Sequence, residues 1–281
     1  MAPTLPADQP PLPLVAVLSG AGLSTDSGIP DYRGPNGLWR RDPEAEKTVT
    51  LRDYRADTAV RQKAWRMRIE VGVLDARPNA AHRALAAFER TGIPLRVLTQ
   101  NVDGLHQLGG VSPRKVLELH GTARQVQCLG CRMRGDMADV LARVARGEAD
   151  PPCTACGGIL KPATIMFGEH LDPEVLAQAR AVAAACDVLI AVGTSLRVHP
   201  AAGLVDRALG TGATVTIVNA EPTPYDHRAA ETVREPIGSS LPALLARLAA
   251  EHGRSLDVHP DLGPGPDVDP DPDVDLGLGL G

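Results

Sequence analysis

Leu14-Val15-Ala16-Val17-Leu18-Ser19-Gly20-Ala21-Gly22-Leu23-Ser24-Thr25 is the stretch that decides the architecture. Its opening apolar run is too short for a helix and has no polar alternation, the pattern of a strand covered on both faces. The run ends at Ser19-Gly20, and the glycines permit a sharp turn from strand into helix. Working outward, Leu95-Arg-Val-Leu-Thr99, Asp187-Val-Leu-Ile-Ala-Val192 and Thr214-Val-Thr-Ile-Val-Asn219 repeat the same signal. Helical patterns lie between them, from Asn79 to Arg90, Pro173 to Ala185, Pro200 to Leu209 and Leu241 to Ala250. Apolar strands separated by helices predict an α/β chain with a parallel sheet covered by helices on both faces. In such sheets ligands bind beyond the carboxyl ends of the strands. The residues to read are therefore Gly20-Ala21-Gly22, Gln100-Asn101, Gly193-Thr194-Ser195 and Asn219-Ala220-Glu221.

The composition bounds the rest. The chain has 281 residues, with 43% hydrophobic and 22% charged, enough apolar mass for a sizeable core. Aromatics are 2%, so Ala, Val and Leu must fill that core. The net charge of −5 is concentrated at one end: no Lys or Arg follows Arg254, but seven Asp do, which leaves 29 basic against 27 acidic residues before them. A near-neutral body argues against a dedicated nucleic-acid binder. The longest apolar stretch, Ala181 to Gly193, is interrupted by Asp187 and falls short of the roughly 18 residues of a membrane span. Met1 to Pro13 is Pro-rich without a basic leader, so it reads as flexible and not as a secretory signal. These features predict a cytoplasmic protein. The expected organisation is a flexible segment 1–13, a catalytic unit 14–252, and an acidic, low-complexity, disordered tail 253–281.

Each strand end carries side chains suited to chemistry, and each has a plainer reading. Gly20-Ala21-Gly22 with Ser24 and Thr25 offers close backbone approach and free N–H groups to a pyrophosphate. The third glycine of a dehydrogenase fingerprint is missing, since Thr25 stands there, and no acidic residue follows about 20 positions on. A ligand-free turn is the alternative. Next, Gly28-Ile-Pro-Asp-Tyr32-Arg33 places an aromatic that could cover a reactive carbon beside an Arg that could reach phosphate or ribose. Taken alone, a Pro-initiated turn with a surface Arg is the better reading. Gln100, Asn101 and Asp103 can donate to and accept from a carboxamide, whereas a helix N-cap explains only one of them. His120, before Gly121 at the end of a short strand, suits the role of a base toward a sugar hydroxyl. A lone His is nonetheless more often structural.

Cys128-Leu-Gly-Cys131 and Cys153-Thr-Ala-Cys156 are the most specific local signal. Two such pairs in a chain without a leader supply four thiolates for one tetrahedral Zn²⁺. Four protein ligands close the coordination sphere, so the zinc is expected to be structural. A redox role is disfavoured because neither pair opens a helix after a strand. Cys186 reads as a small buried hydrophobe.

Together these pieces resemble the sirtuin family of NAD-dependent protein-lysine deacylases. The resemblance is carried by the glycine turn with Gly28-Ile-Pro-Asp-Tyr-Arg33, by Thr99-Gln-Asn-Val-Asp103, by His120-Gly121 and by both cysteine pairs. Met166-Phe-Gly-Glu169, Gly193-Thr-Ser-Leu196 and Val218-Asn219 complete it, in the family's order, over about residues 14 to 240. It implies a Rossmann-like sheet plus a small zinc-ribbon domain, about residues 123–165, with NAD and an acyl-lysine peptide or protein meeting between them. In the family's scheme the acyl group passes from lysine to ADP-ribose as nicotinamide leaves, with His120 as base and Asn101 assisting. By motif position, Gly20, Ala21, Gly22, Ser24, Thr25, Tyr32, Arg33, Gln100, Asn101 and Asp103 would contact NAD. Gly193, Thr194, Ser195, Asn219, Ala220 and Glu221 would do so around the adenosine half. Phe167, Gly168 and Glu169 would form the edge that pairs with substrate backbone. Two departures stand out: Tyr32 where most members have Phe, and Trp65-Arg-Met-Arg68 where members that prefer acidic acyl groups have Tyr-x-x-Arg. Arg68 could pair with an acyl carboxylate. The rivals are a protein ADP-ribosyltransferase, a zinc-ribbon nucleic-acid module and a dehydrogenase.

Overall fold

The computed structural model describes residues 11–31 and 42–258. Its main sheet has six parallel strands in the order β3-β2-β1, then three later strands on the other side. β1 (Val15–Ser19) is central, with β2 (Leu95–Thr99) on one side and β3 (Val116–Glu118) beyond it. On the other side lie β7 (Val188–Val192), β8 (Thr214–Val218) and β9 (Glu231–Val233). The chain direction of building reverses at β1, so a crevice opens where the strands beside it diverge.

Every residue of β1 is buried, and alternate residues serve opposite layers. Val15 and Val17, with Ile190 and Val192, pack against α3 (Ala80–Arg90) and α8 (Ile237–Glu251). Ala16 and Leu18, with Leu189, Ala191, Val215 and Ile217, pack against α6 (Pro173–Ala185) and α7 (Gly203–Gly210). Small and branched residues fill both layers, and alanines dominate the facing stripes of α3 and α6, which brings helix and sheet close together. Helix starts are marked as expected: Asn79 caps α3 through Ala81 N and His82 N, and Asp172 caps α6 ahead of Pro173.

The glycine turn does open a helix, of 3₁₀ type, Ala21–Ser27, closed by Gly28 in the left-handed region. One local expectation needs correction. α8 begins at Ile237, four residues before the sequence boundary at Leu241, and carries Pro242 inside it. The ring removes one N–H in the second turn, and the residue four before it, Gly238, docks so closely that a Cβ would lie 2.8 Å from Asp26 Oδ2.

A second, antiparallel sheet has the order β5-β4-β6: β4 (Gly121–Cys128) lies between β5 (Arg134–Asp136) and β6 (Leu160–Thr164). α5 (Met137–Ala145) covers it, with Met137 and Val140 buried beside Val126, Cys128, Cys153 and Leu160. The module has a second chain segment that the sequence reading missed. α1 (Leu51–Ala56) and α2 (Thr58–Val71) pack on it, with Trp65 at 0% exposure in the same cluster as Cys128. Arg61 is buried with Trp65 and pairs with Asp150 at 2.8 Å, tying α2 to the loop before Cys153.

Gly121 joins the two sheets. Its φ is +73°, and a Cβ would stand 2.2 Å from Ala163 O. Gly121→Ala is expected to cost at least about 2 kcal/mol, since it adds a backbone clash to a left-handed conformation. Urea melts check this: an unchanged midpoint would mean the two sheets can separate at this point without loss.

Candidate active site and zinc site

The crevice forms where the ends of β1 and β7 interlock through glycines. Gly20 N donates to Val192 O at 3.0 Å, and Gly22 N to Gly193 O at 2.9 Å. A Cβ on Gly20 would stand 2.7 Å from Gly193 O, and one on Gly193, at φ +61°, would stand 2.3 Å from Leu23 N. These glycines are therefore demanded by chain packing in addition to any ligand. The N–H of Gly22 is spent on this interlock and that of Leu23 on Gly20 O. The expected row of free donors is thus shorter than the motif implied.

Across the crevice, Asn101, Ser24 and Asp103 form one relay. Asn101 Nδ2 donates to Gly20 O at 3.1 Å and to Ser24 Oγ at 3.2 Å, and Ser24 donates to Asp103 Oδ2 at 2.7 Å. Asp103 Oδ1 accepts from Leu105 N at 2.9 Å, at the start of the one-turn α4 (Leu105–Leu108), whose N-cap position is Gly104. No side chain caps α4, and all three polar residues are bonded within the chain, Gln100 to Thr194, Asn101 to Gly20 and Ser24, and Asp103 to Ser24 and Leu105. Burial raises the Asp103 pKa against the opposing bonds from Leu105 and Ser24 and the charge of Arg124. The buried pair of carboxylate oxygens, each with one donor, and Asn101 Oδ1 leave acceptor capacity that suits an amide N–H₂.

Gln100 links three strand ends: its side chain donates to Thr194 Oγ1 at 2.9 Å, and its carbonyl accepts from His120 Nδ1 at 3.0 Å. A carbonyl can only accept, so Nδ1 carries the proton and Nε2 keeps a lone pair. Burial lowers the His120 pKa from its ordinary 6.5, and the bond to Gln100 offsets part of that. The imidazole is neutral at pH 7, with its backbone pinned by Ile165 N to His120 O at 2.8 Å. At the far end, Asn219 Nδ2 donates to Glu221 O at 2.8 Å, and Arg234 Nη1 donates to Asn219 O at 2.6 Å. Arg234 also pairs with Asp226, and nothing in its local sequence pointed to this bracing role.

The Met166–Glu169 loop is built differently from expectation. Phe167 N donates to Val49 O at 2.8 Å and Phe167 O accepts from Leu51 N at 3.0 Å, so its backbone is already paired within the chain. Glu169 accepts from Met166 N and from buried Lys161, at 2.8 and 2.9 Å. Glu169 N is likewise used within the loop, donating to Met166 O at 2.9 Å. Lys161, buried at 3% exposure in β6, holds the loop and was also missed. Trp65 is in the zinc-module core, and Arg68 donates to Ala64 O at 2.6 Å while lying over the Trp65 ring. The partial Tyr-x-x-Arg match therefore lacks its aromatic at a pocket wall. Tyr32 and Arg33 lie outside the described residues.

The four cysteine sulfurs lie within 4.8 Å of one another, with Cys128 and Cys156 at 3.5 Å and Cys131 and Cys153 at 3.7 Å. Tetrahedral Zn–S bonds of about 2.3 Å put sulfurs about 3.8 Å apart, so the set fits one Zn²⁺. Gly130 N donates to Cys128 Sγ at 3.3 Å, and a Cβ on Gly158 would crowd two of the sulfurs. All four ligands are cysteines, which leaves no open position for an activated water, and the zinc is structural.

The Sir2 family profile matches residues 20–200. "NAD-dependent protein deacetylase 2" of Streptomyces coelicolor is 67% identical over 236 residues, which is 84% of this chain and 98% of that one. A solved Sir2 complex with a p53 peptide and NAD⁺ superposes with a TM-score of 0.73 at 31% identity, covering 85% of this chain and 93% of the other. Sir2Tm bound to a propionylated peptide gives a TM-score of 0.73 at 30% identity with the same coverage. Among the described residues no helix is long and apolar enough to cross a membrane.

Proposed function

The chain belongs to the Sir2 family and is an NAD-dependent protein deacetylase, and we propose that His120 and Asn101 carry its chemistry. One observation carries this reading: the His120 ring, just past the end of β3, is fixed by Gln100 O at the end of β2 through Nδ1–H, which leaves Nε2 unprotonated. The bound NAD supplies a nicotinamide leaving group and a ribose hydroxyl that must lose a proton. A neutral imidazole of fixed tautomer suits that proton transfer. Asn101, Ser24 and Asp103 hold the carboxamide, and Gln100 orients His120 and Thr194 together. Gly20, Ala21, Gly22 and Thr25 line the phosphate side, on a turn whose glycines let β1 pack directly against Gly193 and Thr194. Gly193, Thr194, Ser195, Asn219, Ala220 and Glu221 receive the adenosine half, the last three on a loop braced by Arg234. The acyl-lysine segment is received at the 167–169 loop, where the ring of Phe167 is exposed.

We further divide the chain into a catalytic unit 14–252 and a tail 253–281, because α8 ends at Glu251 and Gly253 turns out of it at φ +66°. The zinc-ribbon insert spans about 123–165, supported by β4 leaving the crevice just before it. Four thiolate ligands need a reducing compartment, which supports a cytoplasmic location.

The test is incubation with NAD and an acetyl-lysine peptide, read by mass spectrometry. Expected are free lysine peptide, nicotinamide and O-acetyl-ADP-ribose in equal amounts. Nicotinamide released while ADP-ribose accumulates on protein, with the acetyl group retained, would assign the transferase chemistry instead.

A further inference from the structure

β4 leaves the crevice at Gly121 and reaches the zinc site at Cys128, and its ladder with β6 breaks midway. Thr122 pairs with Ala163, and the next pair is Val126 with Pro162. Pro162 has no N–H to give, and residues 123–125 bulge opposite it. The bulge turns two donors away from β6 toward the loop after β2. Ala123 N donates to Val102 O at 2.7 Å, and Arg124 Nε donates to Asp103 O at 2.9 Å. To get there the guanidinium crosses Gly104, whose φ is +71° and where a Cβ would stand 2.6 Å from Arg124 Nε. Gly104 is thus shaped around Arg124. Arg124 Nη2 is buried without an acceptor among the described residues, so the side chain gives up a hydrogen bond to hold this place. Among the described residues, the charges that face Asp103 are Arg124 from β4 and Glu118 from β3.

We propose that Arg124 is a positioning residue for nicotinamide: from the zinc-module strand it fixes the 101–104 loop so that Asp103 and Asn101 hold the carboxamide. This rests on the carboxamide role given above to those two residues. From β4 two bonds reach this loop, Ala123 N to Val102 O and Arg124 Nε to Asp103 O, and only the second is made by a side chain, at the residue before the one-turn α4 and its N-cap Gly104. A charge-assisted bond to the Asp103 carbonyl, lost on truncation, lets the loop relax away from the crevice.

The experiment follows exchange of labelled nicotinamide into NAD, and deacetylation, in Arg124→Ala, Arg124→Lys and Asp103→Asn. In Arg124→Ala the nicotinamide concentration for half-maximal exchange and the KM for NAD should rise about tenfold, the loss of one hydrogen bond to a charged group. The KM for peptide should stay unchanged. Arg124→Lys keeps the charge and one donor and should recover part of the loss, which also covers the case in which the Ala variant folds poorly. Unchanged nicotinamide dependence in Arg124→Ala, while Asp103→Asn weakens it, overturns the role of Arg124 alone. Unchanged dependence in Asp103→Asn overturns the carboxamide reading and the proposal with it. Equal loss for NAD and peptide, tracking a lowered melting point, makes Arg124 merely structural and also overturns it.

Discussion

His120→Tyr is expected to lower turnover of an acetyl-lysine peptide by about two to four orders of magnitude, the usual cost of removing a general base. NAD affinity by calorimetry should change little, because the glycine interlock, the Asn101–Ser24–Asp103 relay and Gln100 do not depend on the ring. The pH profile gives a second reading of the same residue. Burial lowers the His120 pKa from 6.5, and only the neutral imidazole can take the ribose proton. Activity should therefore fall with decreasing pH along a limb centred below 6.5. Phenol in place of imidazole removes that limb. Near-normal turnover in the variant would take His120 out of the mechanism. Lost NAD binding together with a collapsed fold would make it a structural link between Gln100 and β4.

Cys128→Ser should lose the metal and unfold the zinc module at once. Cys128 is fully buried, at 0% exposure, and its sulfur sits between Cys156 and the Gly130 N–H in the cluster that includes Trp65 and Met137. Metal binding in such small modules is folding free energy, so the loss should exceed about 3 kcal/mol. Zinc content by mass spectrometry should drop from about one per chain toward zero, since three thiolates hold structural zinc poorly. Because α2 packs on the same cluster, proteolysis should open 51–71 along with the module. Stoichiometric zinc and an unchanged melting curve would reject the assignment. Cys186→Ser is the control: Cys186 lies under α6 in the other core and should leave the metal untouched.

Part of the site was legible in the chain because its signals are local. A buried strand needs only a short apolar run, a turn only its glycines, and a zinc site only two close cysteine pairs, all visible within a few residues. The strand-end residues were found for a related reason: in a parallel sheet, position at the carboxyl end fixes proximity before any side chain is placed.

What escaped was set by partners distant in sequence. Trp65 sits on a largely polar helix, and only the approach of β4 and α5 made it core. Arg124, Lys161 and Arg234 resemble ordinary surface cations; each acts through a backbone carbonyl or carboxylate that its own segment does not contain. Phe167 was read as a free edge, yet residues 49–51, more than a hundred positions earlier, already pair with it.

By itself the sequence determined the parallel sheet, the crevice at its strand ends, the four thiolates and the candidate base, since each follows from residue type and spacing along one segment. Only the tertiary structure decided the tautomer of His120, the demand for glycine at 20, 22 and 193, and the grip of Arg124 on the Asp103 loop. Those depend on which carbonyl faces which proton, and on how much room two backbones leave each other. Such distances exist only once segments far apart in the chain have been packed together.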